Sequence, residues 1–374
     1  MATIILISSV HWHFTWQRHH HFASGLAGLG DSVFFVEPLP KRWPGRHDVQ
    51  RAWGRITGDS QAGLCPQNSR DGVTVVSPRL LPDAGAVSRW INRNFFVPRL
   101  ALALRQSLPP GPIVILNYLP TRASLALQKA LSADLCIYDC AWDWSRDPYS
   151  RGLERVEREL VAQADLILTD SPHNTERMRQ LHATVAPIPH GVDFELFSAA
   201  GEPREAPKEP LCAYFGDLGT NVDLDLLREV SQRYPLRIVG PMRWKPRGFA
   251  GRTVFTGPVP YERVAEHLRD ADVLLLPYRT DPDMAGVLPV KVMECLATGK
   301  PTIATRLPGL DEFRELFYLC EGKADYLGTI ASARDEEPSL RQARQDLARS
   351  RTWSTIVAQV EDLIQTRLNV ASRP

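Results

Sequence analysis

Short runs of three to five apolar residues recur along this chain, and amphipathic helical stretches fill the intervals between them. This alternation limits the possible folds more than any other feature. The apolar runs at 4–8, 33–36, 74–76, 113–116, 135–138 and 166–169 predict buried strands, because a strand covered on both faces carries no polar alternation. Residues 17–29 predict a helix that stops at Gly30, a residue that tolerates the left-handed backbone past a helix end. Ser171 predicts a cap for a helix over 172–181 that opens on Pro172. Strand, helix and strand in repetition need crossover connections, which are right-handed and build a mostly parallel, doubly wound sheet.

The alternation occurs twice. Residues 199–210, AAGEPREAPKEP, are rich in Pro, Glu and Ala, lack periodicity and read as a linker. Apolar runs then resume at 211–215, 236–239, 254–256, 273–276 and 302–304. A chain of 374 residues exceeds one ordinary core. The expectation is an α/β protein of two domains, 1–198 and 211–352, followed by an amphipathic helix after Trp353. In such sheets ligands lie outside the carboxyl ends of the strands, and two domains of this kind are expected to face each other across a cleft.

The net charge of +1 argues against general nucleic-acid binding, and no recognition motif accompanies the basic residues. The near-neutral total conceals a division. Residues 1–130 hold 14 Lys and Arg against 6 Asp and Glu, a net +8, while the remainder holds 30 against 37. Six cysteines at 65, 136, 140, 212, 295 and 320 show no CxxC spacing, so no zinc or dithiol site is indicated. Cys136, Cys212 and Cys295 lie in apolar runs and read as core thiols of a reducing compartment. The apolar start is too short for a signal peptide or a spanning helix, so the expected location is cytoplasmic.

The sharpest motif is VLPVKVMECLATGKP, residues 287–301. Pro289 suits a helix first turn, while Gly299 and Pro301 end the helix before the run 302–304. The amides at Pro289, Val290 and Lys291 with the Lys291 charge form a phosphate site in this reading. Glu294 shares a helix face with Lys291, and its carboxylate is suited to accept hydrogen bonds from two sugar hydroxyls. The plain alternative is a surface Lys–Glu pair.

Further segments follow in order: ADLILTDS at 164–171, PHGVD at 189–193 with Phe197, YFG at 214–216, VFTGPVP at 254–260, ADV at 271–273 and Leu276-Pro277. Together with the 287–301 run, they resemble the GT-B glycosyltransferases of group 1, with His190 where that family usually has Asn. The Pro-x-Lys-x-x-Glu form, WQRHHHFA at 16–23 and YDCAWDW at 138–144 are most similar to bacterial transferases of the teichuronic-acid and xanthan glucuronosyltransferase type. The resemblance implies two Rossmann-like domains, a terminal helix over 353–374, from Trp353, that crosses back to the first, and a nucleoside-diphosphate sugar bound by the second through Gly216, Arg243, Phe255, Pro289, Val290, Lys291 and Glu294. It implies a glycan, lipid-linked or small-molecule acceptor on the first, near Trp16, Arg18, His19 and Trp142, and no metal or other cofactor. Two departures stand out: Gly286 occupies the position of the family's first Glu, and no Arg or Lys follows Gly216 in GDLGTN.

Asp143 follows the predicted strand 135–138 and is the candidate base for the acceptor hydroxyl; the alternative is a turn Asp, and Asp139 is a rival nearer the strand. A base implies inversion at the anomeric carbon; a retaining enzyme would leave Asp143 to orient substrate. The histidines His11, His13, His19, His20 and His21 suggest a metal less than a helix start, because consecutive residues point to different sides. Lys41-Arg42-Trp43, Arg51-Ala52-Trp53 and the run from Arg89 to Arg99 mix Arg with Trp and Phe, which suits an anionic membrane surface on the inner face; the alternative is an ordinary amphipathic helix whose aromatic side packs on the sheet. A nucleotide-sugar epimerase and a non-catalytic sugar- or lipid-binding relative are the alternative functions.

Overall fold

The computed structural model describes residues 1–13, 16–39, 67–68, 72–83, 85–146, 152–201, 209–242, 247–284, 286–333 and 336–371. The chain forms two compact units, one of residues 1–188 with 357–374 and one of residues 189–356.

The first unit holds an eight-stranded sheet: β1 (Thr3–Ile7), β2 (Ser32–Val36), β3 (Gln67–Asn68), β4 (Val73–Val76), β5 (Ile113–Asn117), β6 (Leu135–Cys140), β7 (Leu166–Thr169) and β8 (Val185–Pro187). Their order is β3-β4-β2-β1-β5-β6-β7-β8, parallel throughout except where β3 joins β4. Every residue of β1 is buried, as its unbroken apolar run requires for a central strand. Helices cover the sheet, with Leu104, Leu127 and Leu131 in the core of one cluster and Val156, Leu160 and Met178 in another.

The second unit holds a six-stranded parallel sheet of β9 (Cys212–Phe215), β10 (Leu236–Val239), β11 (Thr253–Gly257), β12 (Val273–Leu276), β13 (Thr302–Thr305) and β14 (Tyr318–Cys320). The order is β11-β10-β9-β12-β13-β14. Alternate residues of β9 serve different clusters: Ala213 and Phe215 join one, Cys212 and Tyr214 the other.

In both sheets the winding direction reverses beside the first strand of the unit, between β1 and β5 and between β9 and β12. Such a reversal opens a crevice at the carboxyl ends of the two strands. These two points organise everything below.

The unit boundary lies earlier than the composition suggests. Residues 189–201 belong to the second unit because Phe194, Phe197 and Ala200 are buried in its core. Residues 202–208 of the expected linker lie outside the described residues. The terminal helix Trp353–Ala371 is divided between the units after Ile356. At its start a Cβ on Gly191 would meet Trp353 at 2.7 Å, and further along a Cβ on Gly25 would meet Val357 at 2.6 Å, so each glycine lets the helix seat closely. Cys212 and Cys295 are buried, whereas Cys136 is only partly so.

Candidate active site

In the second unit the winding reversal is occupied by a lysine. Gly216 follows β9 with φ +115°, and a Cβ there would lie 2.1 Å from Lys291 Cε and 2.3 Å from Nζ. Only glycine accommodates both the backbone and the side chain. Gly240, after β10, has φ +132° and would clash with the Gly216 carbonyl at 2.4 Å, so the two strand ends close together. Lys291 Nζ donates to the Tyr214 hydroxyl at 3.2 Å and the Tyr278 hydroxyl at 3.4 Å. It also lies 4.9 Å from the Tyr214 ring centroid and 5.7 Å from that of Tyr278. Burial opposes its charge, and the two tyrosines more than offset that, holding its pKa above the ordinary lysine range. No carboxylate pairs with it among the described residues.

Lys291 opens the helix Lys291–Thr298. Val292 and Met293 donate back to the carbonyls of Pro289 and Val290, at 3.1 and 3.2 Å, so the amides of Val290 and Lys291 precede the first helical bonds. His190 Nε2 meets the Leu288 carbonyl at 3.1 Å and ties the 189–193 loop to this helix start. Glu294 is 8% exposed, and burial pushes its carboxyl up to about 7 despite Lys291 nearby. Its neighbours are Asp193, raised likewise by burial, and the Tyr261 hydroxyl, which faces both carboxyls. Of the other residues the sequence assigned to the donor, Phe255 is partly buried and packs edge-on against Phe249 at 5.3 Å. Arg243, like Lys245, lies outside the described residues. A depression in the second unit is lined by Thr220, Asp223, Asp225, Arg228, Arg279 and Asp281, three carboxylates against two guanidiniums, which does not favour an anion.

In the first unit the reversal is occupied by a histidine. His19 Nε2 lies 3.1 Å from Ser9 Oγ, just after β1, and its ring lies 3.9 Å from that of Tyr118, just after β5. Arg18 does not present its charge to a ligand. It is 1% exposed, donates to Asp139 Oδ2 at 2.7 Å and to the Ile188 carbonyl at 2.9 Å, and its guanidinium lies 4.4 Å from the Phe22 ring. Burial opposes its charge and Asp139 restores it, so the pair fastens the helix Arg18–Gly28 to β6. Asp139 is consumed by the same pair. Trp16 packs edge-on against Trp12 and His21, and Trp142 lies against the first-unit core. His20 is fully buried, its Nε2 donating to the His11 carbonyl at 3.1 Å, and burial lowers its pKa.

Asp143 lies past the end of β6 with its side chain 5% exposed. Its Oδ1 accepts from the Ser145 amide at 3.1 Å and hydroxyl at 2.6 Å. Its Oδ2 lies 2.9 Å from His173 Nε2 and 3.3 Å from Arg146, and Arg177 lies 3.7 Å from Oδ1. Burial would raise its pKa, but the hydrogen bonds from Ser145 and His173 and the Arg177 charge prevail and lower it. This carboxylate holds its negative charge and offers few open lone pairs.

The glycosyl transferases group 1 family matches residues 215–343. The second unit is a group 1 glycosyltransferase domain. The chain is 23% identical over 271 residues to the putative teichuronic acid biosynthesis glycosyltransferase TuaH of Bacillus subtilis, covering 63% of this chain and 68% of that protein. It is 25% identical over 363 residues to the sulfoquinovosyl transferase SQD2 of Arabidopsis thaliana, covering 88% of this chain and 63% of that one. Among solved structures, sucrose-phosphate synthase from Thermosynechococcus elongatus superposes over 100% of both chains with TM-score 0.72 and 16% identity. HepE from Anabaena, solved in complex with UDP-glucose, superposes over 98% of this chain and 100% of that one with TM-score 0.68 and 13% identity. The fold is GT-B.

Three residues of this site receive no functional role from the sequence. Tyr214 and Tyr278 sit at the ends of buried strands and read as core, yet their hydroxyls meet Lys291. Tyr261 falls in a stretch with no motif. In the first unit His173 is likewise missed, although its place directly after Pro172, at a capped helix start, was legible.

Proposed function

We propose that this protein is a glycosyltransferase that moves a sugar from a nucleoside-diphosphate sugar to a hydroxyl of a glycan, lipid-linked or small-molecule acceptor, in polysaccharide or glycoconjugate biosynthesis. One observation carries the reading: an ammonium with no carboxylate partner among the described residues, beside the first amides of a helix, at the winding reversal of the group 1 domain. A charge so placed suits a diphosphate, whose leaving charge it stabilises together with the helix start. With no Arg or Lys after Gly216, Lys291 carries more of that role. Glu294 faces the sugar hydroxyls of the donor. HepE was solved with UDP-glucose, which favours a uridine diphosphate donor.

The first unit takes the acceptor, with His19 at its winding reversal and Asp143 serving acceptor activation. Its second partner is an anionic membrane surface, met by the helical segment 86–107. Trp90 and Phe95 are 59% and 45% exposed there and touch each other edge-on. Arg89, Arg93, Arg99 and Arg105 are exposed on the same segment, and no Asp or Glu occurs between Asp83 and Asp134. The 41–43 and 51–53 stretches that the sequence adds to this surface lie outside the described residues. No helix of the described residues is long and apolar enough to cross a membrane, so this is a surface contact.

The test is titration calorimetry of the full chain against UDP-, GDP- and dTDP-sugars. At least one is expected to bind, and Lys291→Ala to weaken it about 10- to 100-fold, the loss of a charge-assisted contact of roughly 1.5–3 kcal/mol. Absence of binding to every nucleotide sugar, or unchanged affinity in Lys291→Ala, overturns the reading.

A further inference from the structure

A lysine serves a phosphate poorly until it is ordered, because its flexible stem lets the ammonium wander. In the second unit two tyrosines do the ordering. The Lys291 ammonium has three N–H donors. One goes to the Tyr214 hydroxyl at 3.2 Å and one to the Tyr278 hydroxyl at 3.4 Å, and the third meets no acceptor among the described residues.

The tyrosines stand on segments that are fastened to each other. Tyr214 is the third residue of β9, and Tyr278 lies two residues past β12. Beyond these strands Val222 bridges to Tyr278, the Asp223 amide donates to the Pro277 carbonyl at 2.8 Å, and the Arg279 amide donates to that of Asn221 at 3.0 Å. The Tyr214 hydroxyl spends its own proton on the Asp217 carbonyl at 2.8 Å, so its oxygen is left to accept from Lys291. Both tyrosines are buried and cannot swing away. Burial pushes the Tyr278 hydroxyl up to about 12, so it meets the lysine as a neutral phenol. A neutral oxygen accepts the hydrogen bond without cancelling the positive charge, whereas a carboxylate would do both.

We infer that Tyr214 and Tyr278 are positioning residues of the donor site, whose hydroxyls hold the Lys291 ammonium in place with its third N–H left for an oxygen of the donor's diphosphate. The inference rests on the glycosyl-transfer reading above and extends it to residues that act through Lys291. It bears on the sequence GDLGTN, where neither Arg nor Lys follows Gly216. An ordered lysine with its charge uncancelled gives a phosphate more than a mobile one. Gly216 belongs to the same arrangement, since a Cβ there would take the place of Lys291 Cε.

The experiment is titration calorimetry of the full chain with UDP, GDP and dTDP, continued in variants with the diphosphate that binds most tightly. Phenylalanine keeps each ring in the core and removes only the hydroxyl. Tyr278→Phe and Tyr214→Phe are each expected to weaken binding about 3- to 10-fold, and the pair about as much as Lys291→Ala. Tyr278→Phe is the cleaner of the two, because Tyr214→Phe also removes the bond to Asp217. The deciding arm repeats both substitutions in Lys291→Ala. Residues that act through Lys291 have nothing to act on there, so affinity is expected to change less than about twofold; the cost of a mere packing role would persist. Nitrogen-15 NMR of the ligand-free chain supplies a readout without any donor: proton exchange at the Lys291 ammonium is expected to be slow in the native chain and faster in the double Phe variant. Unchanged affinity in the double Phe variant, tighter binding there, an equal loss in the Lys291→Ala background, or equal ammonium exchange overturns the inference and leaves the transferase reading standing. Failure of all three diphosphates to bind the native chain overturns both.

Discussion

Glu294 is the residue where charge and burial are most in conflict. Burial pushes its carboxyl up to about 7, from an ordinary value of 4.5, so near neutrality it is divided between two forms. Only the ionised form accepts from two sugar hydroxyls at once. Donor affinity is therefore expected to fall as pH drops from 8 to 6, and to lose that dependence in Glu294→Gln; calorimetric titration at several pH values reads it, and a flat native profile contradicts it. Stability runs the other way. Because the folded state binds this proton more tightly than the unfolded chain, stability is greatest below about 4.5 and declines as pH rises through about 7. Glu294→Gln is expected to stabilise the protein by about 1–3 kcal/mol at pH 8 and by little at pH 4, read from thermal unfolding. Arg18 teaches the opposite lesson at the same scale. A basic residue at a helix start beside a binding edge looks like a ligand contact in sequence, but a carboxylate on a strand 121 residues away claims it.

Among elements, the helical segment 86–107 departs most from ordinary packing. Its Val97, Ala101 and Leu104 face the core, while Val87, Trp90, Phe95 and Leu102 face outward at 72, 59, 45 and 58% exposure. A π turn over Asn92–Phe96 interrupts it, and buried Asn92 both accepts from the Leu81 amide at 2.9 Å and donates to the Leu81 carbonyl at 2.7 Å. This fixes the turn and keeps Trp90 and Phe95 on the outside. Sedimentation with vesicles containing anionic lipid is expected to retain the full chain at low salt and release it at high salt. Trp90→Ala with Phe95→Ala is expected to reduce retention several-fold without lowering nucleotide-sugar affinity. No retention at low salt would make this face an ordinary surface. Strands that the apolar pattern does not announce are β3, β8 and β14, all two or three residues long at sheet edges. An edge strand packs on fewer neighbours and has no need of a continuous apolar run.

For the whole molecule, the basic character of the first 130 residues now divides into two kinds of charge. Arg18 is sealed in an ion pair and Arg122 is bonded to Glu159 at 2.9 Å, whereas the arginines of segment 86–107 are exposed. The two units also have separate cores, each on its own sheet. Scanning calorimetry with a bound nucleotide sugar is accordingly expected to raise the transition of the unit 189–356, by about 2.7 kcal/mol at a hundredfold excess over Kd, and Lys291→Ala to cut the rise to about 0.4–1.4 kcal/mol at the same ligand concentration. An unmoved transition contradicts the placement of the donor in that unit.

The amino-acid sequence by itself determined the doubly repeated strand–helix alternation, the central strands, and the helix that carries Lys291 and Glu294. These follow from periodicity and from Pro and Gly at fixed places, which act over a few neighbouring residues. It did not determine the unit boundary, because Phe194 and Phe197 join a core built mainly by residues after 212. Nor did it show which charges are spent internally. Lys291 and Arg18 each open a helix near the carboxyl edge of a sheet, and local sequence treats them alike. Only the tertiary structure separates them: it sets two hydroxyls beside one ammonium and a buried carboxylate beside the other cation, and it brings His173 to Asp143 across 30 residues. The partner a charge meets is decided by strand order in space, which short-range patterns do not encode.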